Sequence, residues 1–195
     1  MKNILMMCKE HKFWIDTAGK KGKQLCLDET DMRTVKITPF MLEQSYYSEC
    51  NFSGMTFYNI DFYQSELYSC DFTNAKFSKC DFRKCTLDYS NFSEATFVDC
   101  KFPRAEAFQT CFDNCSFNNC SFVGFNIIEG SLNYAKFDFC DFDAIYLNKV
   151  SAKDFKLKKA SNLDTVNYIS LYITQENIIE GVDAIKWLKE QNIET

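Results

Sequence analysis

The chain has 195 residues, 46% of them hydrophobic and 16% aromatic, which is enough for one domain with a large core. A net charge of −5 speaks against a nucleic-acid binder held by phosphate contacts, and 6 Gly with 2 Pro leave little material for a disordered linker. No apolar run approaches the roughly 18 residues that cross a bilayer, so no membrane contact is expected.

Residues 2–16 read as a short helix, with Ile4, Leu5, Cys8, Lys12 or Phe13, Trp14 and Ile15 on one side at three-to-four spacing. Gly19 and Gly22, in a lysine-rich stretch, end it. Leu5-Met6-Met7-Cys8 is superficially like a lipoprotein cleavage site, but the apolar run is too short for a signal core and Met7 is not small. A cytoplasmic location is the default expectation. The single His11 has no Cys or Asp partner implied by spacing, so it carries no catalytic expectation.

A five-residue phase then takes over. It begins near Leu25 with degenerate units at Leu27, Met32, Ile37, Leu42 and Tyr47, where Pro39 and Phe40 suggest a distorted coil. From Phe52 to Leu147 twenty successive positions in steps of five are apolar, and fourteen of them are Phe. Neither a helix (period 3.6) nor a strand (period 2) sustains such a period, so the repeat is itself the structural unit. Two residues before each centre stands something small, as at Cys50, Ser65, Cys70, Ala75, Cys80 and Ala95. The residue just before the centre is often Asp or Asn, as at Asn51, Asp61, Asp71, Asp81, Asn91, Asn126 and Asp141. Hydrogen bonds to turn backbone explain these better than acid–base work. One large and one small inward side chain per five residues describe a chain wound around a narrow interior.

Units such as Cys-Asp-Phe-Thr-Asn at 70–74 and Cys-Asp-Phe-Arg-Lys at 80–84 resemble those of the pentapeptide repeat family. The resemblance implies an all-β fold, a right-handed quadrilateral β-helix with four units per coil. The sequence tests that coil independently. Residues twenty apart fall into three Phe-rich stacks, through Phe52, Phe57 and Phe62, and a fourth stack with no Phe: Leu67, Leu87, Ala107, Ile127 and Leu147. A four-sided coil accounts for a Phe-free stack at every fourth unit. Segment 1–24 is then expected to cap the N-terminal end, where bare core and unpaired backbone would otherwise be exposed. The β-helix spans 25–172, most clearly 50–150.

Past Val150 the phase decays, with Leu157 in phase and Leu163 and Tyr168 in a shifted register. In the tail, 173–195, Thr174 reads as an N-cap, and Ile178, Ile179, Val182, Ile185, Trp187 and Leu188 mark a helix over about 175–191. Too short to stand alone, it either plugs the coil or pairs with a second copy to make a homodimer.

Eleven cysteines tempt a chemical reading, eight of them at the small inward position. Cys80, Cys100, Cys120 and Cys140 form a ladder whose rungs, about 4.8 Å apart, lie within disulfide reach. Their Cβ vectors, however, run parallel. Four zinc ligands must converge about 2.3 Å from one point, which rungs spanning roughly 14 Å cannot do. They read as small core hydrophobes. No metal, cofactor or catalytic residue is expected.

What remains is binding. The Phe-free face places Tyr68, Tyr89, Phe108, Ile128 and Tyr146 outward, a density of aromatic and apolar groups that marks a contact site unless terminal segments cover it. The expected role is therefore a non-enzymatic scaffold that binds protein, with no direct contact to nucleic acid. The resemblance implies an alternative, a DNA-mimic modulator of a type II topoisomerase, which requires one extended acidic face. The basic patch Arg83, Lys84, Lys101 and Arg104 on the Phe62 face, with Asp61, Glu66, Asp88, Glu106 and Glu129 scattered elsewhere, argues against that.

Overall fold

A computed structural model describes residues 2–174 and 176–193. The chain winds as a β-solenoid of about seven turns between two short helices. Partners twenty residues apart pair in parallel register, for example Phe57↔Phe77, Phe77↔Phe97 and Phe97↔Phe117. Two opposite sides of the square are ladders of short strands, mostly three residues long. One runs through Thr56–Tyr58, Lys76–Ser78, Thr96–Val98, Ser116–Asn118, Lys136–Asp138 and Lys156–Lys158. The opposite side runs from Cys26–Asp28 to Tyr168–Tyr172. The other two sides touch through single bridges such as Asn51↔Asp71 and Asp61↔Asp81.

The interior is the expected one. Every centre from Tyr47 to Leu157 is buried, and the small residues two positions earlier are buried with them. Phe rings in consecutive coils stack nearly parallel, as in Phe72 on Phe92 at 4.7 Å and 1°. The small position has a further use. Its hydroxyl or thiol donates to the carbonyl of the centre one coil below: Ser90 Oγ to Leu67 O at 2.9 Å, Thr110 Oγ1 to Leu87 O at 2.8 Å, Cys120 Sγ to Phe97 O at 3.6 Å. The Asp and Asn before the centres cap turns as expected, Asn51, Asp61, Asp81 and Asn91 each accepting from the backbone N–H two residues on. Asn126 is an exception, because it lies in the strand Asn126–Ile128.

Each corner falls two residues after a centre, and there the backbone is left-handed: Lys79 (φ 56), Glu94 (φ 63), Tyr134 (φ 60) and Phe139 (φ 56) among many. Only Gly and Asn accept that conformation cheaply. Most corners carry neither, so the ladder bonds on both sides must hold them there.

The ends differ from the sequence expectation in three places. The first helix, α1 (Lys2–Asp16), turns Cys8 and His11 inward and leaves Leu5 and Phe13 exposed. His11 is fully buried: its Nδ1 accepts from Leu25 N at 3.0 Å, and its Nε2 lies 2.8 Å from Glu43 O. One nitrogen accepts and the other must donate, so the ring is neutral and protonated on Nε2. Burial lowers its pKa, against the opposing pull of the Glu43 carbonyl. His11 therefore pins α1 onto the first two coils. Gly22 lets that contact form: at φ +78 a Cβ would sit 2.7 Å from Trp14 N and closer still to Glu10 O.

Second, the distorted early coil is a 3-10 turn, Pro39–Leu42, with Met41 and Leu42 both buried. Third, the tail helix starts late. Ile178–Glu180 is a strand antiparallel to Tyr168–Tyr172, and α2 runs only over Gly181–Gln191. Thr174 Oγ1 accepts from Glu176 N and Asn177 N, so it caps a turn and not the helix. Ala184 and Leu188 are buried and Trp187 lies 6.2 Å from Phe155, so α2 docks on the C-terminal end of the coil. Ile169, not Tyr168, points inward, because the 3-10 turn Leu163–Thr165 adds residues and shifts the pairing to Leu147↔Ile169.

All eleven cysteines are free thiols. In the ladder, the thiol of Cys120 beside Cys100, together with burial, pushes Cys100 up to about 12. Burial is the main cause that raises Cys85 and Cys115, with Glu66 adding to it at Cys85 and Cys111 and Asp113 at Cys115. Protonated and enclosed, these groups are core packing.

Candidate interaction face

The face above the Phe-free stack has three outward positions per coil: the residue before the centre, the residue after it, and the corner. The five expected residues occupy all three and are not one contiguous patch. Phe108 and Ile128 are direct neighbours in adjacent strands, and Tyr89, half exposed at a corner, meets Phe108 edge-on at 5.4 Å. These three form the apolar centre. Tyr68 lies two coils below Phe108, across Asp88, and packs on Tyr46 at 5.7 Å. Tyr146 stands toward the other end and stacks on Tyr168 at 5.1 Å. The sequence reading did not place Tyr46 and Tyr168 on this face, because neither lies beside a centre of the regular 50–150 region.

The coil also gathers charge that looks scattered along the chain. Asp28, Glu29, Glu49, Glu66, Asp88, Glu106 and Glu129 all fall on this one face, with Lys149 as its only outward cation among the described residues. Of the acids thought to be scattered, only Asp61 belongs elsewhere; it lies 4.0 Å from Arg83 on the Phe62 face. Glu129 accepts from Gln109 at 3.1 Å and lies 3.8 Å from Lys149, whereas Glu29, Glu49, Glu66 and Glu106 enter no ion pair among the described residues. Neighbouring groups feel that field. Burial and then Glu66 raise both the Tyr68 phenol and the exposed Cys26 thiol.

The strand ladder breaks at the middle of this face. Residues 86–88 make only isolated bridges, through Thr86 to Glu66 and Glu106. The Asp88 carboxylate accepts the Phe108 N–H at 2.9 Å, which leaves the Leu87 carbonyl to the Thr110 hydroxyl. A side chain thus replaces a ladder bond beside Tyr89 and Phe108. Among the described residues neither terminal segment reaches here: α1 packs on the 3-10 turn Pro39–Leu42, and α2 on the last strands.

The basic patch exists but is partly engaged. Arg83 lies 3.9 Å from Asp81 and its guanidinium sits 4.8 Å over the Tyr63 ring. It occupies the side adjacent to the acidic face, so it does not interrupt that face.

Comparison with known proteins agrees with the repeat. Residues 40–108 match the family model described as a pentapeptide repeat region. No curated protein matches. Among solved structures, a pentapeptide repeat protein from the Arabidopsis thaliana thylakoid lumen is 22% identical, covering 57% of this chain and 74% of its own, with a TM-score of 0.45. HetL of Nostoc sp. strain PCC 7120, involved in heterocyst differentiation regulation, is 14% identical over 84% and 91%, with a TM-score of 0.32. QnrB1, a plasmid-mediated fluoroquinolone resistance protein, is 14% identical over 73% and 86%, with a TM-score of 0.24. The match to the pentapeptide repeat family covers residues 40–108, and the same five-residue unit continues in phase to Leu157.

Proposed function

We propose that the chain is a non-enzymatic scaffold whose Phe-free face receives a protein partner with a basic surface. The observation that carries this reading is the placement of Tyr89, Phe108 and Ile128 at the uncovered centre of a face with seven carboxylates and one lysine. An apolar aromatic centre ringed by unpaired charge is the usual anatomy of a protein contact, in which aromatic anchors supply affinity and the charged rim steers.

A second reading, mimicry of duplex DNA, gains from the same gathering of acids. Magnitudes separate the two. Seven charges over five coil steps, about 24 Å at 4.8 Å per coil, give one charge per about 3.4 Å. Duplex DNA carries one per about 1.7 Å. The face has half the charge density of DNA and a hydrophobic centre that DNA lacks, which favours an ordinary protein partner.

The test pairs two assays. A Phe108→Glu, Tyr89→Ser variant should lose capture of the partner while keeping its melting temperature. Wild-type chain at micromolar concentration should leave gyrase supercoiling essentially unchanged. Strong inhibition that weakens as salt screens the charges would favour mimicry instead.

A further inference from the structure

A cavity of about 400 Å³ lies at the N-terminal end, between α1 and residues 34–41. Its walls are apolar: Ile4, Cys8, Val35, Phe40 and Met41. That volume falls within the roughly 300–1,000 Å³ of small-molecule sites. The polar side chains that line it are Lys9, Lys36 and two threonines. The chain has 27 carboxylates, and none of those described lines this cavity. Lys9 and Lys36 enter no ion pair among the described residues. The Oγ1 of Thr38 is enclosed and finds no hydrogen-bond partner there, although a buried hydroxyl normally has one.

Two ammoniums at the edge of an apolar slot, with no carboxylate beside them, form a donor set without a matching acceptor. We infer that this cavity binds a single-chain amphiphile with an anionic, acceptor-only head. The alkyl chain lies along Val35, Phe40 and Met41, and the head pairs with Lys9 and Lys36. A carboxylate or a phosphate ester would satisfy those donors. A neutral alcohol would leave both lysines uncompensated, and an alkylammonium would repel them.

Isothermal titration of the full chain, below the micelle concentration of each probe, tests the site. Decanoate should bind one to one. Decanol should bind at least about tenfold more weakly, and decylammonium should not bind. Decyl phosphate in parallel separates the two head groups, and vesicles with and without anionic lipid separate a free amphiphile from a membrane surface. Val35→Trp, which fills the slot, should abolish binding without lowering the melting temperature. Lys9→Glu with Lys36→Glu should lose decanoate and gain decylammonium. The inference falls if decanoate and decanol bind equally, if folded Val35→Trp binds like wild type, if the reversed variant keeps its preference, or if no probe binds.

Discussion

Phe97→Ala removes the ring at the middle of a stack of five Phe. Phe97 is fully buried, stacked at 4.7 Å on both Phe77 and Phe117, with Phe102 edge-on at 5.5 Å. Burying a Phe side chain is worth about 1.5–3 kcal/mol. Two lost aromatic stacks add about 0.5–1.5 kcal/mol each, giving about 2.5–6 kcal/mol in all. The coil cannot close on the void, because Thr96 N is held to Ala75 O and Asp99 N to Asn118 O, both at 3.0 Å. The expected loss is therefore about 3–5 kcal/mol, the upper part of the usual large-to-small range. Urea unfolding followed by far-ultraviolet circular dichroism measures it, with exposed Asn118→Ala as a control near zero. Since each coil contacts only its neighbours, the variant should also broaden the transition as the two halves uncouple. A loss below about 1 kcal/mol would refute the stacked-core reasoning.

Four further outcomes follow from the same geometry. Gly22→Ala should free α1 and cost far more than Gly54→Ala, since both have positive φ but only Gly22 abuts backbone; comparing their melting temperatures separates strain from collision. His11 has a lowered pKa in the folded chain, so its contribution is complete above the unfolded value of about 6.5 and fades as pH falls below it; the stability gap between wild type and His11→Phe should narrow from pH 8 to pH 5. Native thiol titration should label Cys26 first, slowly at pH 7 because burial and Glu66 raise its pKa, and Glu66→Gln should speed it. Cys100→Ala should cost little, and neither reductant nor chelator should move the melting temperature.

The core was legible because its signal is one-dimensional. Spacing alone put Phe97 and Cys120 inside, and the Phe-free stack announced the four sides. Corners were not legible, since Lys79, Glu94 and Phe139 carry no turn signal and adopt left-handed backbone only because paired coils impose it. His11 looked idle because its partners are backbone groups of Leu25 and Glu43, which no residue pattern marks. In the tail, Ile178 and Ile179 suit a helix or a strand, and the free edge at Tyr168–Tyr172 decided for the strand. On the Phe-free face the outward placement of the aromatic residues was legible and the gathering of the acids was not. Glu49, Glu66 and Asp88 fall in different positions of the unit, and only the closed coil sets them side by side.

Site-specific photocrosslinking tests the central claim, that the working surface is the Phe-free face. A benzophenone side chain is placed singly at Phe108, Ser53, Tyr58 and Arg83, one on each side of the square, in cells that express the chain. Position 108 should give a discrete protein adduct that added salt weakens, and position 58, on the opposite side of the square, should give none. Equal labelling from all four sides, or an adduct confined to position 53 or 58, would contradict the account.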